Sequence, residues 1–284
     1  MESKFKSAYA NTWDNYVQNV FPKIQSGRPR SKEDLKAWQV LNHTDGQYVW
    51  PGDEWGAKED ILTVLQRCLF ETLGREADQL CEIGSGAGRY TFHLLEHCQT
   101  ASVHCFDVSE AFLEKLNHRF ADDVSSKRLF STLLDEDPQR MLKTLRGRGL
   151  EGRIDAVVSF DAMVHVELHT LALYVATTAA VLREGGVLIF NVADATSDYG
   201  FAKLMHNTPG VFRQCGVVGG HFQWMSPDII ESLLTRLGFA CSFLGNFPEC
   251  NERDLFVVAR LVDRSRLKAL ATVTEHNWWQ AFAG

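Results

Sequence analysis

One run, Leu80-Cys81-Glu82-Ile83-Gly84-Ser85-Gly86-Ala87-Gly88-Arg89-Tyr90-Thr91, constrains this chain more than any other. It reads as a short apolar strand, a turn with glycine at three alternate positions, and the first turn of a helix. Glycines there let the backbone come close to a ligand where any Cβ would obstruct. The helix that follows aims its unpaired N–H groups at the same place. An acid, Glu82, sits two residues before the first glycine. A strand, a glycine turn and a helix in that order are the opening unit of an open α/β sheet, where ligands bind at the carboxyl ends of the strands.

The flanking chain continues the alternation. Val103–Asp107 reads as a second strand ending in an acid, and Ser109 caps a helix with Phe112, Leu113, Leu116 and Phe120 on one face. A third strand is expected over 128–134, a helix over 138–147, and a fourth strand over 154–161 whose near-continuous apolar run suits a parallel strand covered on both faces. Helix 168–182 stops at Gly185-Gly186, before a fifth strand over 187–192. Residues 194–225 read as an irregular, lid-like insert. Ser226-Pro227 opens a helix ended by Gly238. Strands 240–244 and 255–259 follow, too close in sequence for a parallel crossover and so paired antiparallel. Ahead of all this, residues 1–58 form a helical, aromatic-rich cap in which Tyr9, Trp13, Tyr16, Val17, Val20 and Phe21 recur at helical spacing. A second helix is expected over 32–41. The cap ends in a dense loop, Tyr48–Gly56, able to serve ligand or packing. The expected organisation is an α/β domain over 59–262 with seven strands, mostly parallel with an antiparallel last strand, plus the cap and a tail over 263–284.

The glycine spacing selects the nucleotide. A dinucleotide fingerprint is G-x-G-x-x-G with a later acid, but its third glycine position is Arg89 here, and the glycines fall as G-x-G-x-G behind Glu82. A carboxylate there repels a pyrophosphate and suits a ligand with an ammonium group. Asp107, ending the next strand, can take both hydroxyls of a ribose. S-Adenosylmethionine, an amino acid joined to a nucleoside, combines those two groups.

Glu82-x-Gly84-x-Gly86-x-Gly88 with Asp107 resembles the first two motifs of the class I S-adenosylmethionine-dependent methyltransferases, which have a Rossmann-like fold. Ser159-Phe160-Asp161-Ala162-Met163-Val164-His165-Val166-Glu167 is similar to the segment after strand four in their small-molecule members, and the likeness runs over about residues 58–261. Gly52-Asp53-Glu54-Trp55-Gly56 adds a likeness to bacterial enzymes of polysaccharide and secondary-metabolite pathways. The resemblance implies that Glu82 holds the donor's ammonium or a water beside it, and that Gly84, Ser85, Gly86 and Gly88 let the donor approach. It further implies that Asp107 binds the ribose, Val108 packs on the adenine, and Leu134 and Asp135 lie at its edge. Phe160 and Asp161 would sit beside the methionine part, with Arg89 and Trp55 also in the donor site.

A hydroxyl acceptor needs a base, and histidine has a suitable pKa. His165, after strand four, is the first candidate, with Glu167 to orient it or bind substrate; His221, in the insert, is the second. The expected reaction is O-methylation of a small molecule or sugar. N-methylation of a small amine, a non-catalytic donor-binding protein and, last, a dinucleotide oxidoreductase are the alternatives. The net charge of −7 argues against nucleic acid as partner, and no signal peptide or membrane-spanning run is evident. Seven cysteines without a C-x-x-C pair fit a reduced, cytoplasmic setting. Asp161 and Asp194 alone make a poor metal set, so no metal is expected. The sequence leaves the oligomeric state open, a homodimer included.

Overall fold

The computed structural model describes residues 4–25, 48–55, 63–73, 77–134, 138–213, 222–244 and 253–273. The expected helix over 32–41, Asp135, His221 and the end of the tail with Trp278, Trp279 and Phe282 lie outside the described residues.

The elements that frame the site are α1 (Lys4–Asn15), β1 (Gln79–Ile83), α2 (Arg89–His97), β2 (Ser102–Asp107), α3 (Glu110–Arg119) and β3 (Leu129–Leu133). They continue as α4 (Gln139–Gly147), β4 (Ile154–Ser159), α5 (Leu168–Val181), β5 (Leu182–Asp194), α6 (Asp198–Arg213), β6 (Trp224–Met225), α7 (Pro227–Arg236), β7 (Phe239–Leu244), β8 (Asp254–Leu261) and α8 (Ser265–Val273). Among the described residues, seven strands lie in the order β3-β2-β1-β4-β5-β8-β7, and the short β6 pairs with the end of β5. β8 is antiparallel to both its neighbours, while the β1, β2, β3, β4 and β5 pairings are parallel. The expected sheet is thus present with one strand more.

Strand periodicity divides the core. In β4, Val157 packs with α4, α5, α7 and α8, whereas Ala156 and Val158 face the layer of α2, α3 and the helix over 63–73. Cys81 and Leu80 of β1 divide the same way. Cys68, Cys81, Cys98 and Cys105 are free thiols buried in these layers. Leu267 of α8 is buried in the first layer, so the described part of the tail packs on its own domain. No helix among the described residues is long and apolar enough to cross a membrane.

Two expectations are corrected. Gly185-Gly186 does not break the chain before strand five: β5 already begins at Leu182, and the pairing jumps from Ile154–Leu182 to Ala156–Val187. The glycines form a bulge, with Gly185 at φ 71°, fastened where Arg183 Nε donates to Asp155 Oδ1 at 2.6 Å. The described part of the 194–225 stretch is not irregular either, because α6 occupies Asp198–Arg213. The Ser197 hydroxyl accepts the Gly200 N–H at 3.0 Å and starts the helix. Gly200 is required there, since a Cβ would lie 1.8 Å from the Asp194 carbonyl oxygen. That glycine, Gly210 and Pro209 hid the helical period.

Gly88 provides a test of packing. It has φ 86°, and a Cβ would stand 2.3 Å from a Phe120 ring carbon and 2.7 Å from a Leu116 methyl. Gly88→Ala is expected to destabilise the protein by about 2–4 kcal/mol, from overpacking plus a left-handed backbone. Urea unfolding checks this, and an unchanged midpoint refutes it.

Candidate active site

Strand ends and the glycine turn build a cavity that opens to solvent, its empty space about 850 Å³ with the open mouth included. The turn hangs from β2: Gly84 N–H donates to the Phe106 carbonyl at 2.7 Å, and Gly88 N–H closes on Ser85 at 2.9 Å. The three glycines divide their work. A Cβ on Gly84 would meet Ala162 Cβ at 2.2 Å, although this glycine also lines the cavity, and Gly88 is hemmed in by Phe120 and Leu116, so packing inside the protein requires both. At Gly86 the nearest atoms would be 3.7 Å away, and this glycine lines the cavity.

Asp107 stands on the cavity wall. Its Oδ2 accepts the Gly86 N–H at 2.8 Å and its Oδ1 the Ser109 N–H at 2.9 Å. Each oxygen keeps a second lone pair for a ligand. Burial pushes the carboxyl up to about 6, against the pull of these backbone N–H groups. Protonation below that value removes the acceptor.

Glu82 is placed otherwise than expected. It is 1% exposed, and its carboxylate accepts the Thr91 hydroxyl at 2.5 Å instead of forming part of the cavity wall. Burial raises it to about 8, with the charge of Asp107 adding to the rise. Its work is to tie β1 to α2. A raised acid favours the folded state below its unfolded pKa, near 4.5, and that contribution is lost as pH climbs through about 8. Glu82→Gln keeps the acceptor and drops the charge, so it should gain stability over wild type at about pH 9 relative to pH 6. Thermal melting at both pH values checks this; an equal difference at the two would refute it.

Asp161 follows β4 with φ 58°, a left-handed conformation unusual outside glycine. Asn191 of β5 holds it there, accepting the Asp161 N–H at 2.8 Å, and also donates to Asp254 at 3.0 Å. Arg89, at the start of α2, forms an ion pair with Asp161. Arg253 is 4.0 Å from Asp161 and holds Asp254 through two bonds of 2.5 and 2.6 Å. Burial works against ionising Asp161, but Arg89 and Arg253 prevail and keep the carboxyl below its usual range. Asp194, by contrast, binds Thr196 in a local turn.

The same cavity wall brings together Gly84, Ser85, Gly86, Arg89, Asp107, Val108, Leu134, Phe160, Asp161, Trp55 and His165. His165 ends a short turn, Met163–His165, with its ring stacked on Phe222 at 5.2 Å and tilted against Trp13 at 5.5 Å. Glu167 does not join it. Its carboxylate caps α5, accepting from the backbone of His169 and Thr170, both at 2.8 Å, and lies outside the cavity wall. Trp13, Phe112 and Met163, which also line the cavity, were missed. The aromatic stripe of α1 was the available signal for Trp13, whereas Phe112 looks like any core position of α3.

Residues 81–188 match a family model described as a methyltransferase domain. The matched stretch runs from β1 into β5 and so holds the glycine turn, Asp107 and Phe160. A search of curated proteins returned no match. Among solved structures, a geranyl diphosphate methyltransferase in complex with GPP and sinefungin is similar with a TM-score of 0.58 and 15% identity, over 92% of this chain and 100% of that one. Magnesium protoporphyrin IX methyltransferase from Synechocystis PCC 6803 with bound SAH gives 0.53 and 15%, over 86% and 98%. The CurJ carbon methyltransferase gives 0.50 and 19% over 72% of this chain, which spans about half (54%) of that protein's length. At such identities the likeness is one of fold. The sheet order places β1 between β2 and β4, which is why Asp107 and Phe160 flank one glycine turn.

Proposed function

We propose that this protein transfers the methyl group of S-adenosylmethionine to a hydroxyl of a small molecule, with His165 taking the proton. The observation that carries this reading is one continuous cavity wall, with Gly86 and Asp107 at the donor end and His165 at the acceptor end. Asp107 receives the ribose hydroxyls, and Val108 and Leu134 enclose the adenine. Ser85, Phe160 and Asp161 lie along the methionine chain, whose carboxylate meets the guanidinium of Arg89.

Methyl transfer is an in-line displacement. The acceptor oxygen bonds to the methyl carbon as the carbon–sulfur bond breaks, its proton passes to His165, and the sulfonium leaves as neutral S-adenosylhomocysteine. The protein's contribution is alignment and exclusion of water. The rings of Trp13 and Phe222 beside His165, with Trp55 against Trp13, supply both. They suit a small acceptor with an apolar face.

Purified protein incubated with S-adenosylmethionine and a panel of phenols and sugars should yield S-adenosylhomocysteine and a product one methylene heavier. A product methylated at carbon or nitrogen overturns the hydroxyl assignment, and donor binding without turnover on any acceptor favours a binding protein. Calorimetry should detect S-adenosylhomocysteine and not NADH; the reverse overturns the donor assignment.

A further inference from the structure

Two acids of the N-terminal segments lock onto opposite ends of α3. We propose that Asp14 and Asp53 are positioning residues that hold the aromatic cover, Trp13 and Trp55, in place over the donor site; this rests on the donor reading above.

At the first end, Asp14 Oδ1 accepts the Ser109 hydroxyl at 2.6 Å and the Ala111 N–H at 3.1 Å. Ser109 is itself the α3 cap, accepting the Phe112 N–H at 3.1 Å, and its own N–H donates to Asp107 at 2.9 Å. A three-member chain, Asp14–Ser109–Asp107, therefore runs from the cover to the cavity floor. At the other end, Arg119 Nη1 donates to Asp53 Oδ1 at 3.0 Å and to the Ala87 carbonyl in the glycine turn at 3.3 Å. Asp53 is fully buried, and the guanidinium lies among the rings of Trp50, Phe92 and Phe120 at 5.9, 5.9 and 5.4 Å. Burial raises the Asp53 carboxyl while Arg119 opposes the rise.

Both latches end on groups that touch the cavity, and both begin beside a covering tryptophan. Trp13 precedes Asp14, and Trp55 lies two residues beyond Asp53. Their rings meet at 6.0 Å, and both line the cavity. The cover and the floor are thus held at a fixed spacing through α3, and a bound nucleoside occupies the gap. Loss of a latch widens that gap, and a loosely held ligand forfeits orientation as well as contact.

The experiment combines calorimetry of S-adenosylhomocysteine binding, melting of the ligand-free protein, and hydrogen exchange of peptides covering 10–25 and 48–55. The proteins are wild type, Asp14→Ala, Asp14→Asn and Asp53→Asn. Asp53→Asn keeps an oxygen for Arg119, since stripping a buried ion pair of one partner can unfold a protein. Asp14→Ala and Asp53→Asn are expected to weaken binding about tenfold, or about 1.4 kcal/mol. Exchange should quicken in the cover peptides and stay unchanged in those of β1 and β4. Asp14→Asn, which retains the acceptor, should return most of the affinity. Wild-type affinity and wild-type exchange in both variants would overturn the proposal, as would affinity lost only in step with melting temperature. If the wild type itself fails to bind S-adenosylhomocysteine, the donor reading falls, while the exchange measurement still decides whether these acids hold the cover.

Discussion

Asp107→Ala is expected to weaken S-adenosylhomocysteine binding by about a hundredfold, which is about 2.7 kcal/mol. A hydrogen bond to a charged group contributes roughly 1.5–3 kcal/mol, and the proposed ribose contact uses two of them. The substitution also frees Gly86 N–H, which Asp107 Oδ2 now holds at 2.8 Å, so the turn loses its anchor together with the ligand. Asp107→Asn keeps one acceptor and should lose about tenfold. The same carboxyl, pushed up to about 6 by burial, makes the affinity fall as pH drops below that value, because the protonated acid offers one lone-pair oxygen fewer. Calorimetry between about pH 5 and pH 8 on wild type and both variants measures all of this. Unchanged affinity in Asp107→Ala would remove the ribose contact from the site.

His165→Ala should lower kcat by about 10²–10⁴-fold, the usual range for a positioned general base, with donor affinity close to wild type. The ring has a second use, since it is stacked on Phe222 at 5.2 Å and tilted against Trp13 at 5.5 Å. His165→Phe separates the two roles, keeping an aromatic plane between those rings without a nitrogen to accept the proton. If His165 is the base, the Phe variant binds acceptor and fails to turn over. If the ring only packs, the Phe variant retains most of wild-type kcat while the Ala variant loses it. Steady-state kinetics on the acceptor found in the panel decides between them.

The sheet and the glycine turn at the cavity were legible. Alternating strands and helices, a glycine turn and an acid ending the second strand are local signals, and the sheet order then gathers them without further instruction. Sequence gives the place of Glu82 on β1 but not its partner; Thr91, in the first turn of α2, donates its hydroxyl to the carboxylate. Gly84 lines the cavity, yet the atoms that forbid a Cβ at Gly84 and Gly88 belong to Ala162, Phe120 and Leu116. Sequence distance conceals such contacts. Glu167 was a hydrogen-bond cap in disguise, since Ser, Thr, Asp and Asn are the side chains that pattern reading looks for at that position. The aromatic rings at and beside the cavity were least legible because they come from α1, the 48–55 loop and Phe222, which no common period relates.

The position of β8 has a consequence for biosynthesis. It is the last of the described strands to leave the ribosome, yet it lies between β5 and β7 and brings Arg253 and Asp254 to Asn191 and Asp161. A nascent chain that has made only β1–β7 has no neighbour for β7 and leaves the edge of β5 open there, the kind of unpaired edge that invites aggregation. Its charged cluster at the end of β4 is also unfinished: Asp161 has Arg89 but not Arg253. Ability to hold the donor should therefore appear late and abruptly during synthesis, when the penultimate gap in the sheet closes.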